Sequence, residues 1–199
     1  GNLTIDASSG FYMDFGSNDM TQPVVVLGNI NIAGGLSLSD VAGGDLKIRG
    51  NWTHTTGTFA PKSRAVFFDA ASGNQTITAT GGETFDFLIL DKAADNLVLA
   101  NDITVTQTLT LTSGLVSTAS NSVTISSGGA TASASSASYV SGIMKKVYAA
   151  TGTFTFPIGK GGVYRPLGFE YTALTGTSTV TTEQFESALS GTLPANTNL

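Results

Sequence analysis

Cysteine is absent from the 199 residues. That excludes disulfides and thiolate metal sites, and it is compatible with an oxidising exterior without requiring one. Histidine occurs once, at His54. With no Cys and no second His, a transition-metal site has too few good ligands, so no transition metal is expected and no cofactor is assigned, while a calcium bound in a turn stays open. Charge is scarce: Asp, Glu, Lys and Arg make up 12% of the chain, against about 25% in an ordinary soluble domain. The nine basic residues are scattered apart from Lys145–Lys146, and the net charge is −5. Nothing in that distribution would collect phosphates, so nucleic acid is not an expected partner. No apolar run approaches the roughly 20 residues that a spanning helix needs, so no transmembrane segment is expected. No signal-peptide pattern precedes Gly1, and the chain reads as a mature protein or an excised fragment.

What is there is a weave of β-formers and small polar residues. Hydrophobic residues make up 41% of the chain and Gly occupies 24 positions. The chain can bury a core, and its polar remainder is mostly Ser, Thr, Asn and Gly. That balance belongs to secreted all-β proteins more than to cytoplasmic enzymes.

Internal similarity is visible by eye. "GNLTI" at 1–5 recurs as "GNQTI" at 73–77, and "FYMDF" at 11–15 matches "FDFLI" at 85–89. "VVVLGNINIAGGLSLS" at 24–39 matches "LVLANDITVTQTLTLT" at 97–112, with six apolar positions coinciding without a gap. These offsets suggest two repeats of about 73 residues, each divisible into three turns of about 24, a usual solenoid size. Short alternating segments read as strands at 24–27, 30–32, 36–38, 45–49, 65–68, 85–90, 96–99, 103–111 and 121–126. Gly, Asn, Asp and Ser turns separate them. The best helical candidate, "TTEQFESAL" at 181–189, is short and unconvincing. The expected fold is all-β: a right-handed parallel β-solenoid, or β-helix, over 1–137, then a small, incomplete β unit over 138–199. Handedness rests on the general bias of parallel connections and on the resemblance carried by Gly50–Val116. Tandem β-sandwiches are the competing architecture.

The segment from Gly50 to Val116 carries a resemblance. Its elements in order are Gly50–Asn51–Trp52, Gly57–Thr58–Phe59, "VFFD" at 66–69, "NQTI" at 74–77, "FDFLIL" at 85–90 and "ITVTQTLTLTSG" at 103–114. This pattern resembles a repeat of large secreted surface proteins of Bacteroidetes and related bacteria. "YVSGIMKK…FTFPIGKGGVYRPLGF" resembles the segment that ends such arrays. The first repeat departs from the pattern at "FYMDFGSNDMTQPVVV", where a Pro and a longer linker intervene. The resemblance implies an extracellular or cell-surface, repetitive protein of the kind exported by type IX secretion. It implies an adhesin or surface-fibre role. Open solenoid ends could stack on another copy, and low-charge Ser, Thr and Asn faces could contact glycans, so self-association into filaments and a glycan or surface ligand are the candidate partners. The resemblance implies no catalysis.

Thr104, Thr106, Thr108, Thr110 and Thr112 would point one way along an extended strand and could order water. The matching Asn31, Ala33, Gly35, Ser37 and Ser39 break any such array. A β-helix polysaccharide lyase or hydrolase would need Asp86, Asp91, Asp95 and Asp102 to converge on a groove, with calcium or a paired carboxylate. All but Asp86 sit in turn contexts, where Asp is favoured for local reasons. His54 has no acid nearby in sequence and reads as a surface residue rather than a triad member. "PIGKGG" at 157–162 lacks the first Gly and the final Ser/Thr of a phosphate loop and reads as a turn between strands. Trp52, Phe59, Phe67, Phe68, Phe85 and Phe87 could stack on sugars, but most are expected in the core, with Trp52 partly exposed. No catalytic, cofactor-binding or metal residue is therefore assigned. The competing function is a carbohydrate-binding or carbohydrate-active β-helix protein, and a small-ligand module would need a pocket near 138–165.

Overall fold

The computed structural model describes residues 1–186, and it is all-β. The strands are β1 Leu3–Ile5, β2 Gly10–Tyr12, β3 Asp14–Phe15, β4 Asn18–Asp19, β5 Val24–Val26, β6 Ile30–Ile32 and β7 Gly35–Ser37. They continue with β8 Leu46–Ile48, β9 Trp52–His54, β10 Thr58–Ala60, β11 Ala65–Phe68, β12 Gln75–Ala79, β13 Glu83–Leu99 and β14 Ile103–Ile125. The last are β15 Ala130–Ala132, β16 Val140–Tyr148, β17 Gly152–Phe156, β18 Ile158–Lys160, β19 Val163–Tyr164, β20 Leu167–Tyr171 and β21 Ser178–Thr182.

Pairing between successive coils is parallel from β1 to β18, and the molecule is a β-solenoid of about seven turns. Each coil visits three sides in the same order. On side A, Leu3, Ile30, Trp52 and Ile77 lie in register, and Leu97, Val116, Val140 and Ile158 continue the stack. Side B carries Phe11, Leu36 and Phe59, and further on Phe85 beside Val105. Side C carries Val24, Leu46, Val66, Leu88 and Leu109. The long β13 and β14 run round the corners, and their register shifts mark the bends.

The alternation of side chains along an extended strand explains the core. Inward residues such as Ile30, Leu46, Val66, Leu88, Val105, Leu109 and Leu111 are fully buried, each stabilising by roughly 1.5–3 kcal/mol relative to exposure. The Thr, Ser and Asn between them face out. Corners are made by small residues. Gly57, at φ 88°, lies so close to the preceding coil that an added Cβ would fall 2.0 Å from the Gly34 carbonyl oxygen. Only glycine tolerates both that conformation and that approach.

The coil, not the 73-residue offset, is the unit. Successive side-A partners (3, 30, 52, 77, then 75, 97, 116, 140, 158) give coils of 18 to 27 residues. The offset that aligns Val24 with Leu97 crosses from one side to the next. Val24 stands over Leu46, whereas Leu97 stands between Gln75 and Val116. All three sides share one apolar alternation, so a shift of three coils plus one side matches apolar to apolar as well as a true repeat would.

The change of texture expected at residue 138 meets a gradual change of pairing. Val140–Tyr148 still stacks in parallel on β14, and β18 stacks on β16. Antiparallel pairing then takes over: β17 with β20, β18 with β19, and β21 laid along β16. An aromatic cluster fills this end, with Tyr148 5.0 Å from Tyr171, Phe169 5.0 Å from Tyr171 and Phe154 4.9 Å from Phe156. The helical candidate at 181–189 begins in a strand, since Thr181 and Thr182 belong to β21. Its residues 183–186 are not helical, and 187–189 lie outside the described residues.

Candidate functional site

The polar side chains of the coil body mostly bind neighbouring coils. The clearest case is a ladder of asparagines, each following a glycine at the start of side A. Asn2 Oδ1 accepts the Asn29 N–H at 2.9 Å, and Asn29 Oδ1 accepts the Asn51 N–H at 2.8 Å. Asn51 Oδ1 accepts the Thr76 N–H at 2.9 Å, and Asn74 Oδ1 accepts the Asn96 N–H at 3.0 Å. Each carbonyl oxygen satisfies a corner N–H that the strand ladders leave over. The signal was present in the sequence as "GN" at 1, 28, 50 and 73.

The four aspartates that a catalytic groove would need stand at three different corners. Asp86, between sides B and C, accepts the Ser63 N–H at 2.7 Å and the Thr106 hydroxyl. Asp91 and Asp95, between C and A, accept the Ser113 hydroxyl at 3.0 Å and the Gly73 N–H at 2.7 Å. Asp102, between A and B, accepts the Ser122 N–H at 2.7 Å and its hydroxyl at 3.0 Å. Among the described residues no three His, Asp or Glu side chains gather as a metal site would require.

The threonine run does not form one plane. Thr104 pairs beside Thr84 on side B, and a register shift follows at Phe85/Phe87. Thr108 and Thr110 stand on side C beside Phe87 and Ile89, with Ala130 and Ala132 on their other flank.

His54 is not a surface residue. It lies on β9, and its Nδ1 is 2.8 Å from Glu83 Oε2. The same oxygen accepts the Trp52 Nε1–H at 2.9 Å. Trp52 is fully buried rather than partly exposed, edge-on to Phe59 at 4.9 Å and to Phe85 at 5.4 Å. Glu83 is 29 positions from His54 in sequence and one coil away in space, so proximity along the chain gave no sign of it. Glu83 itself carries no local motif; only the coil register brings it under Trp52.

Among the described residues two lysines are buried, and both donate hydrogen bonds to turn carbonyls. Lys92 Nζ donates to the Gly73 carbonyl at 2.9 Å and approaches the Ala70 carbonyl at 3.5 Å and Gln75 Oε1 at 3.4 Å. Lys146 Nζ donates to the carbonyls of Ser126 at 2.6 Å, Ser127 at 3.0 Å and Gly129 at 2.6 Å. Burial pushes both below the ordinary lysine value; at Lys92 the Asp95 and Asp69 carboxylates oppose that shift. Burial likewise raises the Tyr148 phenol, with Tyr171 adding to it.

A cavity of about 470 Å³ lies beside Lys146, close to the place expected for a ligand pocket. Its walls are the turn Ser127–Ala130 and the segment Ala149–Phe154. The three ammonium protons of Lys146 already meet three carbonyls, so none is left for a ligand. "PIGKGG" is a hairpin: β18 and β19 pair across Gly161 and Gly162, at φ 61° and 80°. Left-handed geometry at both central positions is what a type I′ hairpin turn requires.

Of the six aromatics that sequence offered for sugar stacking, Trp52, Phe68 and Phe85 are fully buried and Phe59, Phe67 and Phe87 are half-buried. The exposed aromatics of the coil body are Tyr12 and Phe15, which sequence did not single out. No helix among the described residues is long and apolar enough to cross a membrane. No protein-family model, curated protein or solved structure matches the chain.

Proposed function

We propose that the chain is a non-catalytic, extracellular structural and adhesive element, a rod segment of a surface fibre. The observation that carries this reading is the disposition of the polar groups. Asparagines at one corner and aspartates at three corners bond from coil to coil instead of meeting around a groove. A stack of this kind is stiff along its axis, because each coil is tied to the next by backbone ladders on three sides and by side chains at the corners. Few charges and many Ser, Thr and Asn side chains leave an outer surface suited to contact with neighbours, glycans or solid surfaces. Cell-surface location and type IX export belong to the same proposal and rest on the sequence resemblance, and filament formation rests on the open ends of such a stack.

The test is retention under flow. Microspheres coated with the purified chain are passed over glass, immobilised polysaccharides and a layer of the same chain, with albumin-coated spheres as reference. Retention above the reference on at least one surface is expected. Parity with albumin on all of them sinks the adhesive role. Release of reducing ends from the polysaccharides would sink the non-catalytic one.

A further inference from the structure

The first coil is the longest, 27 residues from Leu3 to its partner Ile30. Its extra length includes a two-stranded hairpin, β3–β4, which has no counterpart in the coils stacked on it. Insertions in a solenoid coil become loops on one side of the stack, and such loops are frequent places for binding. This one gathers three features that occur together nowhere else among the described residues.

The first is a pair of bared aromatic rings. Phe15 is 74% exposed and Tyr12 53%. The Tyr12 ring lies close against glycines: a Cβ on Gly10 would fall 2.2 Å from its Cε2, and one on Gly35 2.9 Å from its hydroxyl. Only glycines leave room for that ring edge, which backbone braces while half of the residue stays open to solvent. The second feature is a fixed polar pair. Asp14 Oδ2 accepts the Ser37 hydroxyl at 2.9 Å and lies 3.1 Å from Lys62 Nζ, which also reaches Asp40 Oδ1 at 3.2 Å. These contacts tie the hairpin to the next two coils. Burial would raise the Asp14 carboxyl, but the hydrogen bonds from Lys62 and Ser37 outweigh it and hold the group below its ordinary value. Among the described residues Asp14 Oδ1 accepts no bond from another side chain, and Lys62 has a third N–H beyond its two carboxylates. The third feature is a concavity of about 230 Å³ bounded by Tyr12, Asp14, Phe15 and Gly16.

We infer that this corner is a subsite for one ring of a neutral pyranose glycan. Apolar C–H faces of the sugar lie on Tyr12 and Phe15, aromatic rings with large flat apolar surfaces. Adjacent hydroxyls donate to Asp14 Oδ1 and accept from Lys62, a charge-assisted pair fixed before the ligand arrives. Asp14, Asp19 and Asp40 outnumber Lys62, so a uronate or sialylated glycan is repelled. The inference rests on the adhesive reading and names the ligand class of one contact within it.

The experiment is an NMR titration of the isotopically labelled chain with cellotetraose, with triacetylchitotriose and with tetragalacturonate. At least one neutral oligosaccharide saturates shifts at Tyr12, Phe15, Asp14 and Lys62, in the millimolar range of a small shallow site. Both Tyr12→Ala and Phe15→Ala weaken it roughly tenfold or more, whereas Tyr12→Phe keeps it. Both rings are exposed, so these variants fold, and unchanged spectra away from the hairpin verify it. The inference is overturned by any of four results. These are no saturable shift with either neutral sugar, binding unchanged in both alanine variants, preference for the uronate, or a dimer that Phe15→Ala dissolves in sedimentation. Flow retention of the unmodified chain separates the two proposals. Adhesion without sugar binding removes the subsite alone, and sugar binding without adhesion removes the rod reading alone.

Discussion

Replacing Glu83 tests whether the buried polar group under Trp52 stabilises the stack. In Glu83→Ala the Trp52 N–H, now 2.9 Å from its acceptor, loses it inside a fully buried site. An orphaned buried donor costs about 1–3 kcal/mol, and the lost His54 contact adds about 0.5–1.5 kcal/mol. The expected destabilisation is therefore about 1.5–4.5 kcal/mol. Glu83→Gln keeps a carbonyl oxygen of the same reach and removes only the charge, so roughly 1 kcal/mol is expected. Trp52 is the only tryptophan, so its fluorescence reports unfolding of this coil directly in urea. Equal m-values across the variants license the comparison of midpoints. The decisive arm is a double-mutant cycle with Trp52→Phe, followed by circular dichroism, because the double variant has no N–H to orphan. A coupling energy of about 1–3 kcal/mol is expected. If Glu83→Ala shifts stability by no more than about 0.5 kcal/mol, or the coupling vanishes, the contact is incidental and the reasoning fails.

Other consequences can be measured in the same chain. Asn51→Ala removes the acceptor of the Thr76 N–H and should cost about 0.5–1.5 kcal/mol, with faster amide exchange at Thr76 than at Val98. Lys146→Met leaves three turn carbonyls without their donor; thermal melting should fall clearly, and amide exchange should rise first around Ser126–Gly129. Alkaline titration separates two opposing groups of residues. Lys92 and Lys146 have lowered values when folded, so the unfolded chain binds more protons just below pH 10.5, and their contribution to stability rises with pH there. Tyr148 has a raised value, so the folded chain holds the proton longer and stability falls above pH 10. Urea midpoints between pH 8 and 11 should lose the rising limb in Lys92→Met/Lys146→Met and the falling limb in Tyr148→Phe; unchanged limbs would refute the assignment. Lys62→Ala should leave global melting nearly intact yet open the 14–19 hairpin to limited proteolysis, since Lys62 bridges Asp14 and Asp40.

Much of this molecule is legible in the chain itself. The i, i+2 alternation of Val24, Val26, Leu109 and Leu111, punctuated by Gly and Asn, is a local property of extended backbone, and it determined an all-β stack with those side chains inside. The repeat length was less secure, because three sides with one alternation make several offsets score alike. The recurrent "GN" carried the true coil boundary, since only a residue with a short carbonyl side chain can reach the next corner N–H. Contacts between coils were decided by the tertiary structure alone. Glu83 meets His54 and Trp52, and Lys62 meets Asp14, because coils of unequal length, 18 to 27 residues, bring distant positions into one rung. Exposure of aromatics was decided there too. Trp52 and Tyr12 both begin or end a short strand, but Trp52 points inward between Phe59 and Phe85, and Tyr12 lies outward on two glycines. Sequence sets which side chains alternate; the register of one coil on the next sets what each of them touches.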